Sequence, residues 1–540
     1  MTDVLLVQPP VRDFYLTAKR TVPYGLASIA AALTGRGFAV EILDALAVSK
    51  RRSVPWPAEL AELDAYYGRP DVSPFALFHR FQHFGSSFDH IGRRAQASGA
   101  WLVGISSLFT AYAPEALAAA AAVKTWHPES RIVLGGHHPT VMPEQVLASP
   151  AVDYVLRGEG EASLPLLAEA LRDRLPLETV PGIAFRRPQG GLHVNPPAAV
   201  AAPDGYPLPA LGLVNQRYYR RSGRGSAVVV ASRGCPLHCS YCCVPGADWR
   251  PFRLRPVAHV LAEIDAAVDL HGAGFIDFED ENLSFDRAWF LELLRGIRRR
   301  FGERALELRA MNGLFAPTLD EAVVAAMAAA GFKALNLSLG STQAEQLRRF
   351  RRPDVRAAFD RALELAGRHG LTAVAYLIVA APHQSPEGSV DDLLFLAVRR
   401  VLAGVSVFYP APGSADFDLC RRLELLPDDL GRLRASALPI EHTTRRIDTA
   451  TLLRLGRIVN FMKHLRDRGH ALPQPRLPRD AALDPADRTR TGCELLAGFL
   501  ADGRIRGLTP QGQVYAHRVA PHLTQRFLNG IDPGSLRGTL

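Results

Sequence analysis

The sequence predicts an α/β chain: a doubly wound parallel sheet, then a second run of strand and helix units, then a mostly helical C-terminal region. Three observations predict this. Short apolar runs alternate with helical patterns up to about residue 185, the alternation stops across a stretch rich in proline and alanine, and it resumes from Ala227 until it fades beyond about Leu419. At 540 residues the chain exceeds one hydrophobic core, and about 150 residues per domain implies three or four units. The boundaries read as 1–190, a linker over 191–222, a core domain over 223–418 and a covering region over 419–540.

In the first run, Val4 to Val7, Ala39 to Leu43, Leu102 to Ser106, Ile132 to Leu134 and Val152 to Leu156 read as strands. Helical patterns over Tyr24 to Leu33 and Pro114 to Lys124 lie between them. Parallel strands need such crossovers, so the alternation argues a parallel sheet with helices on both faces. Each strand runs into small or polar residues: Gln8-Pro9-Pro10, Asp44, Ser106-Ser107, Gly135-Gly136-His137-His138-Pro139-Thr140, and Arg157-Gly158-Glu159-Gly160-Glu161. In an open sheet these loops gather at the carboxyl edge, where ligands bind. Paired glycines let backbone approach a ligand closely, although ordinary turns also use them.

Residues 51–99 form an insertion carrying Trp56, Tyr66, Tyr67, Phe75, Phe78, Phe81, Phe84 and Phe88. The later aromatics recur at three and four residue steps, which is helical spacing and predicts an element packed on the sheet domain; a substrate lid is the alternative. From Pro196 to Leu211 no periodicity is visible, as expected of a linker.

In the second run the strands are Ala227 to Ala231, Gly274 to Phe278, Ala305 to Arg309, Ala334 to Leu339, Thr372 to Val379 and Val405 to Tyr409, with helices such as Val257 to Leu270 and Ala288 to Arg300 between them. The first strand delivers the chain into Ser232-Arg233-Gly234-Cys235-Pro236-Leu237-His238-Cys239-Ser240-Tyr241-Cys242, three cysteines at C-x3-C-x2-C spacing. Soft thiolates on a short loop suit three corners of a four-iron, four-sulfur cluster, which leaves the fourth iron open for Lewis-acid and electron-transfer chemistry. The competing reading is a zinc knuckle with Cys243 as fourth ligand. Against it, adjacent residues such as Cys242 and Cys243 point apart in most backbones, and no second C-x2-C or histidine pair follows at zinc spacing.

The cysteine spacing, with Tyr241 just before the third cysteine, resembles the signature of the radical S-adenosylmethionine (radical SAM) superfamily. The resemblance implies Cys235, Cys239 and Cys242 as cluster ligands, Tyr241 beside the adenine, and an open iron that chelates the methionine moiety of S-adenosylmethionine, which is cleaved to a 5'-deoxyadenosyl radical. It also implies a partial (β/α)6 TIM-like barrel, with site residues at the strand carboxyl ends. Glu279-Asp280-Glu281-Asn282-Leu283-Ser284-Phe285-Asp286 resembles the second-strand acidic turn, which sets Asp280, Glu281 and Asn282 on S-adenosylmethionine and leaves Asp286 to cap the next helix. Ser338 occupies the fourth-strand position, where Gly340 replaces the acid of many relatives. Ile378, in Tyr376-Leu377-Ile378-Val379-Ala380-Ala381-Pro382, occupies the adenine-packing strand, and Tyr409-Pro410-Ala411-Pro412-Gly413-Ser414 resembles the sixth-strand closing turn.

The earlier loops resemble the Rossmann-like cobalamin-binding domain that precedes many radical SAM domains, in the class B methyltransferase-like group. The residues that imply corrin contact are Gln8, Pro9, Tyr24, Ser106, Ser107, Gly135, Gly136, His137, His138, Gly158, Glu159 and Gly160. Asp-x-His-x-x-Gly, the cobalt-ligating motif of other cobalamin proteins, is absent, as is common in members joined to a radical SAM domain. His137 or His138 is then expected to act as a hydrogen-bonding loop residue more than as a cobalt ligand.

Net charge is +9, but the arginines are scattered among acids; Arg298-Arg299-Arg300 suits a helix end, and Arg348-Arg349-Phe350-Arg351-Arg352 is the densest cluster. A solvated face or an anionic substrate explains that cluster better than nucleic acid, which is not expected as a partner. Six cysteines, four of them within positions 235–243, form no disulfide framework and fit a reducing cytoplasm, with Cys420 and Cys493 as packing residues. No apolar run reaches the roughly 18 residues of a membrane span. The resemblance therefore implies a cobalamin-dependent methyltransferase of an unactivated carbon, or less often phosphorus, in a small-molecule or peptide natural product or cofactor intermediate, reduced by an external donor such as flavodoxin or ferredoxin. A non-methylating cyclase or rearrangement enzyme with the same cofactors is the alternative, and a cobalamin or iron-sulfur sensor without turnover is the alternative of another class.

Overall fold

The computed structural model describes residues 2–15, 22–200, 202, 205, 207–244, 251–477 and 482–539, so positions 201, 203, 204 and 206 of the expected linker lie outside the described residues. Strands β1 (Val4–Gln8), β2 (Val40–Asp44), β3 (Leu102–Ser106), β4 (Arg131–Gly135), β5 (Tyr154–Leu156), β6 (Ile183–Arg186) and β7 (Leu192–Val194) form one sheet in the order β7-β6-β5-β4-β3-β1-β2. The first five are parallel and the last two add an antiparallel edge. Side chains alternate across β1, so Leu5 and Val7 enter one core with Ile91, Ala116 and Val123, while Val4 and Leu6 enter the other with Leu26, Leu33 and Leu167. Chain order reverses between β1 and β3, the crevice at which an open α/β sheet takes its ligand.

The insertion departs from its spacing. Residues 71–81 contain no helix, and Gln82–Phe84 is a strand between Val11–Asp13 and Arg51–Ser53. After the short helix Asp64–Tyr67, the next one begins at Phe88, capped by Ser87. Phe14, Tyr67, Phe75 and Phe81 pack into the core of the second domain and tail, with the Phe14 ring 4.8 Å from Trp56 and the Phe75 ring 5.6 Å from Phe461. Rings at such steps also suit an irregular chain wound around one aromatic hub, where burial and edge-to-face contact decide position instead of helical period.

In the second domain β8 (Arg224–Val229), β9 (Ala273–Phe278) and β10 (Glu307–Arg309) are parallel neighbours, as are β11 (Ala334–Gly340), β12 (Thr372–Val379) and β13 (Leu402–Val407). Isolated bridges Leu308 to Phe332 and Leu314 to Leu337 join the two sets, giving a partial barrel that does not close. All six residues of β9 are buried, and Phe275, Ile276 and Phe278 each contribute about 1.5–3 kcal/mol. Asp286 accepts the Trp289 amide at 2.9 Å and so caps the helix Arg287–Phe301, as expected for that position.

The tail covers the barrel's open flank. Its helix Arg446–Asp467 buries Leu452, Leu455, Ile458 and Met462, and the Asn460 amide both accepts from the Ala403 N–H at 2.9 Å and donates to its carbonyl at 2.8 Å, satisfying the free edge of β13. Asp13, 1% exposed, ties the first domain to this region by accepting from Tyr112 Oη at 2.6 Å and Ser436 Oγ at 2.5 Å. Cys420 is buried, Cys493 half-buried, and neither forms a disulfide. Among the described residues no helix is long and apolar enough to cross a membrane.

Candidate functional site

The carboxyl ends of the two strand sets face each other. Four loops that follow those ends keep large apolar side chains exposed: Leu108 and Phe109 after β3, at 44% and 51%, Val141 after β4, Met311 after β10 and Tyr409 after β13. Apolar surface left uncovered at opposed ligand-binding edges marks a cleft for a large partly apolar ligand. A Cβ on Gly413 would stand 3.0 Å from Val141 Cγ1 and 4.0 Å from Cys243 Cβ, so the first domain's loop reaches the cysteine loop itself.

On the barrel side the cysteine loop is clasped at its base by the ribbon Ser232–Arg233 with Arg253–Leu254. Cys239 is buried and Cys235 and Cys242 are half-buried, all as free thiols. Burial, then the neighbouring Cys243, Cys239 and Cys235, push the Cys242 thiol up to about 12. Burial raises Cys235 too, with Cys239 and Glu281 adding to it. Cys235 and Cys242 thus lie within the field of neighbouring thiols and resist ionising until a cation or cluster takes the thiolates.

The expected S-adenosylmethionine residues fall into two groups around this loop. Asp280, 2% exposed, accepts from Ser232 Oγ at 2.5 Å and the Ala231 amide at 3.2 Å, and burial pushes it up to about 7. Its carboxyl therefore holds the entry to the cysteine loop, a structural commitment where the sequence reading set it on ligand. Glu281 lies close enough to act on Cys235, and Asn282, 4% exposed, leaves its buried Oδ1 without a partner. On the other flank Tyr241 and Ile378 pack against the cluster of Phe350, Ala381, Phe408 and Ile440, and the Tyr241 ring meets Phe350 edge-on at 5.0 Å. The half-buried Ser338 presents its carbonyl to Arg352.

Arg352 is the residue that sequence reasoning missed. It stood in the dense basic cluster read as a solvated or substrate-facing patch, yet it is 9% exposed and donates to Tyr241 Oη at 3.0 Å, with the same nitrogen 3.6 Å from Cys239 Sγ. The available signal was Gly340, whose φ of +79° is left-handed backbone and whose position lies beside Arg352, where a Cβ would touch Cδ at 3.4 Å.

The expected corrin residues also divide. Ser106, Ser107, Gly135, Gly136, His137 and His138 meet at the ends of β3 and β4: the Ser107 amide donates to Gly135 O at 2.8 Å and the His138 amide to Ser107 O at 3.3 Å. Gly136 has φ +123°, and a Cβ there would sit 2.5 Å from Ser107 O. Gly135 has open space, with only Leu156 O at 3.8 Å. Ser107 Oγ is buried and has no partner among the described residues. His138 is 2% exposed, contacts Thr110 Oγ1 at 3.3 Å, and burial pushes it down to about 4, so it stays a neutral hydrogen-bonding residue. Gln8 ends β1 opposite Asp44, and Pro9 follows it at the same edge.

Tyr24, Glu159 and Gly160 sit elsewhere than on an open face. Glu159 accepts from Arg253 at 2.6 Å and the Val200 amide at 2.5 Å, and Arg253, Arg233 and that amide hold its carboxyl below the usual range despite burial. Arg233 also pairs with Glu161. Tyr24 Oη lies 3.3 Å from Arg255, whose partner is Glu263 at 2.6 Å. Gly158 packs on Ala198, and Gly160 on Ile29. These polar atoms are committed to an ionic seam between the two domains, because several buried charges lower their energy together by pairing.

The family model of the B12 binding domain matches residues 77–168, and that of the radical SAM superfamily matches residues 229–396. The chain thus carries a match to a B12 binding domain followed by a match to a radical SAM domain. It is 27% identical over 359 residues to the cytidylyl-2-hydroxyethylphosphonate methyltransferase of Streptomyces wedmorensis, covering 61% of this chain and 63% of that protein, so it spans less than two thirds of that relative. It is 36% identical over 172 residues to the anaerobic magnesium-protoporphyrin IX monomethyl ester cyclase of Cereibacter sphaeroides, 31% of this chain and 28% of that one. The solved cobalamin-dependent S-adenosylmethionine radical enzyme OxsB, with aqua-cobalamin and S-adenosylmethionine bound, shares the fold at a TM-score of 0.63 and 16% identity, over 93% of this chain and 72% of its own.

The cofactors of these domains are cobalamin, a four-iron, four-sulfur cluster and S-adenosylmethionine. The residues present fit all three. Three crowded soft thiols beside a buried cation suit an anionic cluster. The unpartnered Asn282 Oδ1 awaits a donor. The cradle at Gly136, the orphaned Ser107 hydroxyl and the apolar rim suit a flat ligand with amide-bearing edges.

Proposed function

We propose that the chain is a cobalamin-dependent radical SAM methyltransferase acting on an unactivated carbon of a small natural-product or cofactor intermediate. In this reading residues 1–190 hold the corrin, 191–222 link, 223–418 hold the cluster and 419–540 cover the substrate. The observation that carries it is the opposition of the two edges, with Val141 of the Gly136 loop packed beside Cys243 and Gly413.

When bound, the cluster with S-adenosylmethionine supplies a carbon-centred radical and cobalamin supplies a transferable methyl group. The chain's own part is to bind, orient and seal. Cys235, Cys239 and Cys242 hold the cluster from a loop fixed by Asp280, Ser232 and the ribbon below it. Tyr241 and Ile378 pack on the adenine side, Glu281 and Asn282 lie at the methionine and ribose side, and Ser338 fixes Arg352 through its carbonyl. Gln8, Pro9, Ser106, Ser107, Gly135, Gly136 and His137 present backbone and small side chains to the corrin, while Tyr24, Gly158, Glu159 and Gly160 pack at the junction of the domains and His138 supports the loop from within. Leu108, Phe109, Met311 and Tyr409 keep water from the cleft, which a primary carbon radical requires. A flavodoxin or ferredoxin in the cytoplasm supplies the electron.

Anaerobic turnover tests this. Methylation by the two-step route releases S-adenosylhomocysteine and 5'-deoxyadenosine together. Release of 5'-deoxyadenosine alone supports the cyclase or rearrangement reading that the 36% match over 172 residues favours, and release of neither supports a sensor and overturns both.

A further inference from the structure

We infer that the exposed face behind the cysteine loop, carrying Arg348, Arg349 and Arg351 on one segment and Arg421 and Arg422 on another, is the docking surface for a small acidic one-electron carrier protein. The inference rests on the radical SAM reading above, in which an electron must enter from outside. Transfer between proteins slows steeply with distance, so the carrier has to sit close behind the thiols. Ser240, between Cys239 and Cys242, shows where that is, because both segments take up its polar groups. Its amide donates to Phe350 O at 3.0 Å, its hydroxyl lies 2.9 Å from Arg349 O and 3.0 Å from Asp416 Oδ2, and its carbonyl accepts the Asp416 amide at 2.9 Å. Burial raises the Asp416 carboxyl, and Ser240 and then Arg351 draw it down, so a charge on one segment is felt on the other. One layer of residues therefore separates the loop from solvent: its backbone grips Ser240, and its arginines are exposed.

The charge on this face is only partly answered from within the chain. Glu345 serves both Arg348 and Arg349, and Asp418 serves Arg421. Arg351 and Arg422 are exposed and have no carboxylate within ion-pair distance among the described residues. A cationic face of this kind attracts an acidic partner, steers its approach and releases it readily, which suits the small and transient interfaces of electron carriers. It suits single-stranded nucleic acid poorly, since that needs aromatic rings on which bases stack. The ring in this stretch, Phe350, is 1% exposed and turned inward, where it meets Tyr241 edge-on at 5.0 Å. At the docked face one electron leaves the reduced carrier and enters the oxidised cluster. The carrier is oxidised by one electron and the cluster reduced by one, and no bond or proton is exchanged.

The test uses the full chain, anaerobically reconstituted, and a bacterial flavodoxin as the carrier. Its affinity is measured by titration, and 5'-deoxyadenosine release is followed with flavodoxin hydroquinone or with reduced methyl viologen, a small cation that needs no docking surface. The variant Arg351→Glu with Arg422→Glu should bind flavodoxin about tenfold more weakly than wild type and lose as much flavodoxin-driven release, while viologen-driven release stays at the wild-type rate. Raising salt from about 50 to about 200 mM should weaken flavodoxin binding in wild type and much less in the variant. Arg298→Glu with Arg299→Glu makes the same charge change in the last turn of the helix Arg287–Phe301, which leads away from the loop, and should match wild type. Unchanged flavodoxin affinity in the first variant overturns the inference, as does equal loss in the control, since net charge then explains it. Equal loss of release with both donors also overturns it, because the arginines then serve the loop itself. So does tight binding of a single-stranded oligonucleotide that the first variant abolishes while flavodoxin binding persists. If the first variant holds no iron, Arg348→Glu decides by the same titration, and wild-type affinity there overturns the proposal. Wild type that releases no 5'-deoxyadenosine with either donor overturns the radical SAM reading, and the affinity titration still decides the docking surface.

Discussion

The two walls of the cleft are built on opposite principles. The barrel wall is made of specific side-chain atoms: three thiols, a buried arginine without an acid, and a buried carboxyl pinned under the loop. The wall of the first domain is mostly backbone: Gly135, Gly136, the Ser107 carbonyl and a rim of Leu108, Phe109 and Val141. The difference follows from what each must hold. A compact anionic cluster is bound through a few strong directional bonds, so each ligand atom is indispensable. A broad, nearly neutral macrocycle is bound through shape and many weak contacts, so most single atoms matter little and backbone conformation matters a great deal.

That contrast can be broken. The largest expected effect is on the barrel wall: Cys235→Ala, Cys239→Ala or Cys242→Ala should each abolish cubane absorbance and 5'-deoxyadenosine release, and retained turnover in any of them would remove the cluster reading. Next comes Gly136→Val. At φ +123° with a Cβ 2.5 Å from Ser107 O, the substitution should lower stability by about 1–3 kcal/mol and cobalamin affinity at least tenfold. Thermal melting and cobalamin titration check it, and wild-type values in both would show that the corrin wall does not depend on backbone.

His138 sharpens the contrast through pH. Its folded pKa of about 4 lies below the ordinary 6.5, so the unfolded chain takes up the proton first and stability falls as pH drops from about 6.5 towards about 4. The loss attributable to this group is on the order of 3 kcal/mol. Urea unfolding across that window should show a shallower pH dependence in His138→Gln; equal slopes would mean that the imidazole charges in the folded state. The smallest effect belongs to Ser107→Ala. Because its Oγ has no protein partner, the fold should change by less than about 0.5 kcal/mol, while cobalamin binding weakens several-fold by loss of one hydrogen bond. A large change in melting temperature would show that the hydroxyl serves the fold instead.

Legibility in the sequence followed the range of the interactions. Leu102–Ser106 is the strand that an apolar run alone marked, because a strand buried on both faces is written in consecutive residues. The Asp286 cap and the cysteine loop were readable for the same reason: spacing along the chain sets what they hold. The aromatic insertion was misread, since Phe75 and Phe81 take their positions from Phe461 and Phe14, residues far from them in sequence. Tyr24 and Glu159, expected at the corrin, meet arginines of the second domain, and the Asp280 carboxyl, expected on S-adenosylmethionine, bonds to Ser232 at the base of the cysteine loop.

The sequence by itself determined the two strand-helix runs, the loop with three closely spaced thiols and the glycine turns at the sheet edge, all of them local in chain and set by hydrophobic period, residue spacing or permitted φ. Only the tertiary structure decided which charged groups face the cleft and which face each other. Arg352 shows why: its neighbours along the chain resemble those of Arg348, and it is buried because Ser338 on one strand and Cys239 on the cysteine loop, far apart in sequence, converge on its guanidinium.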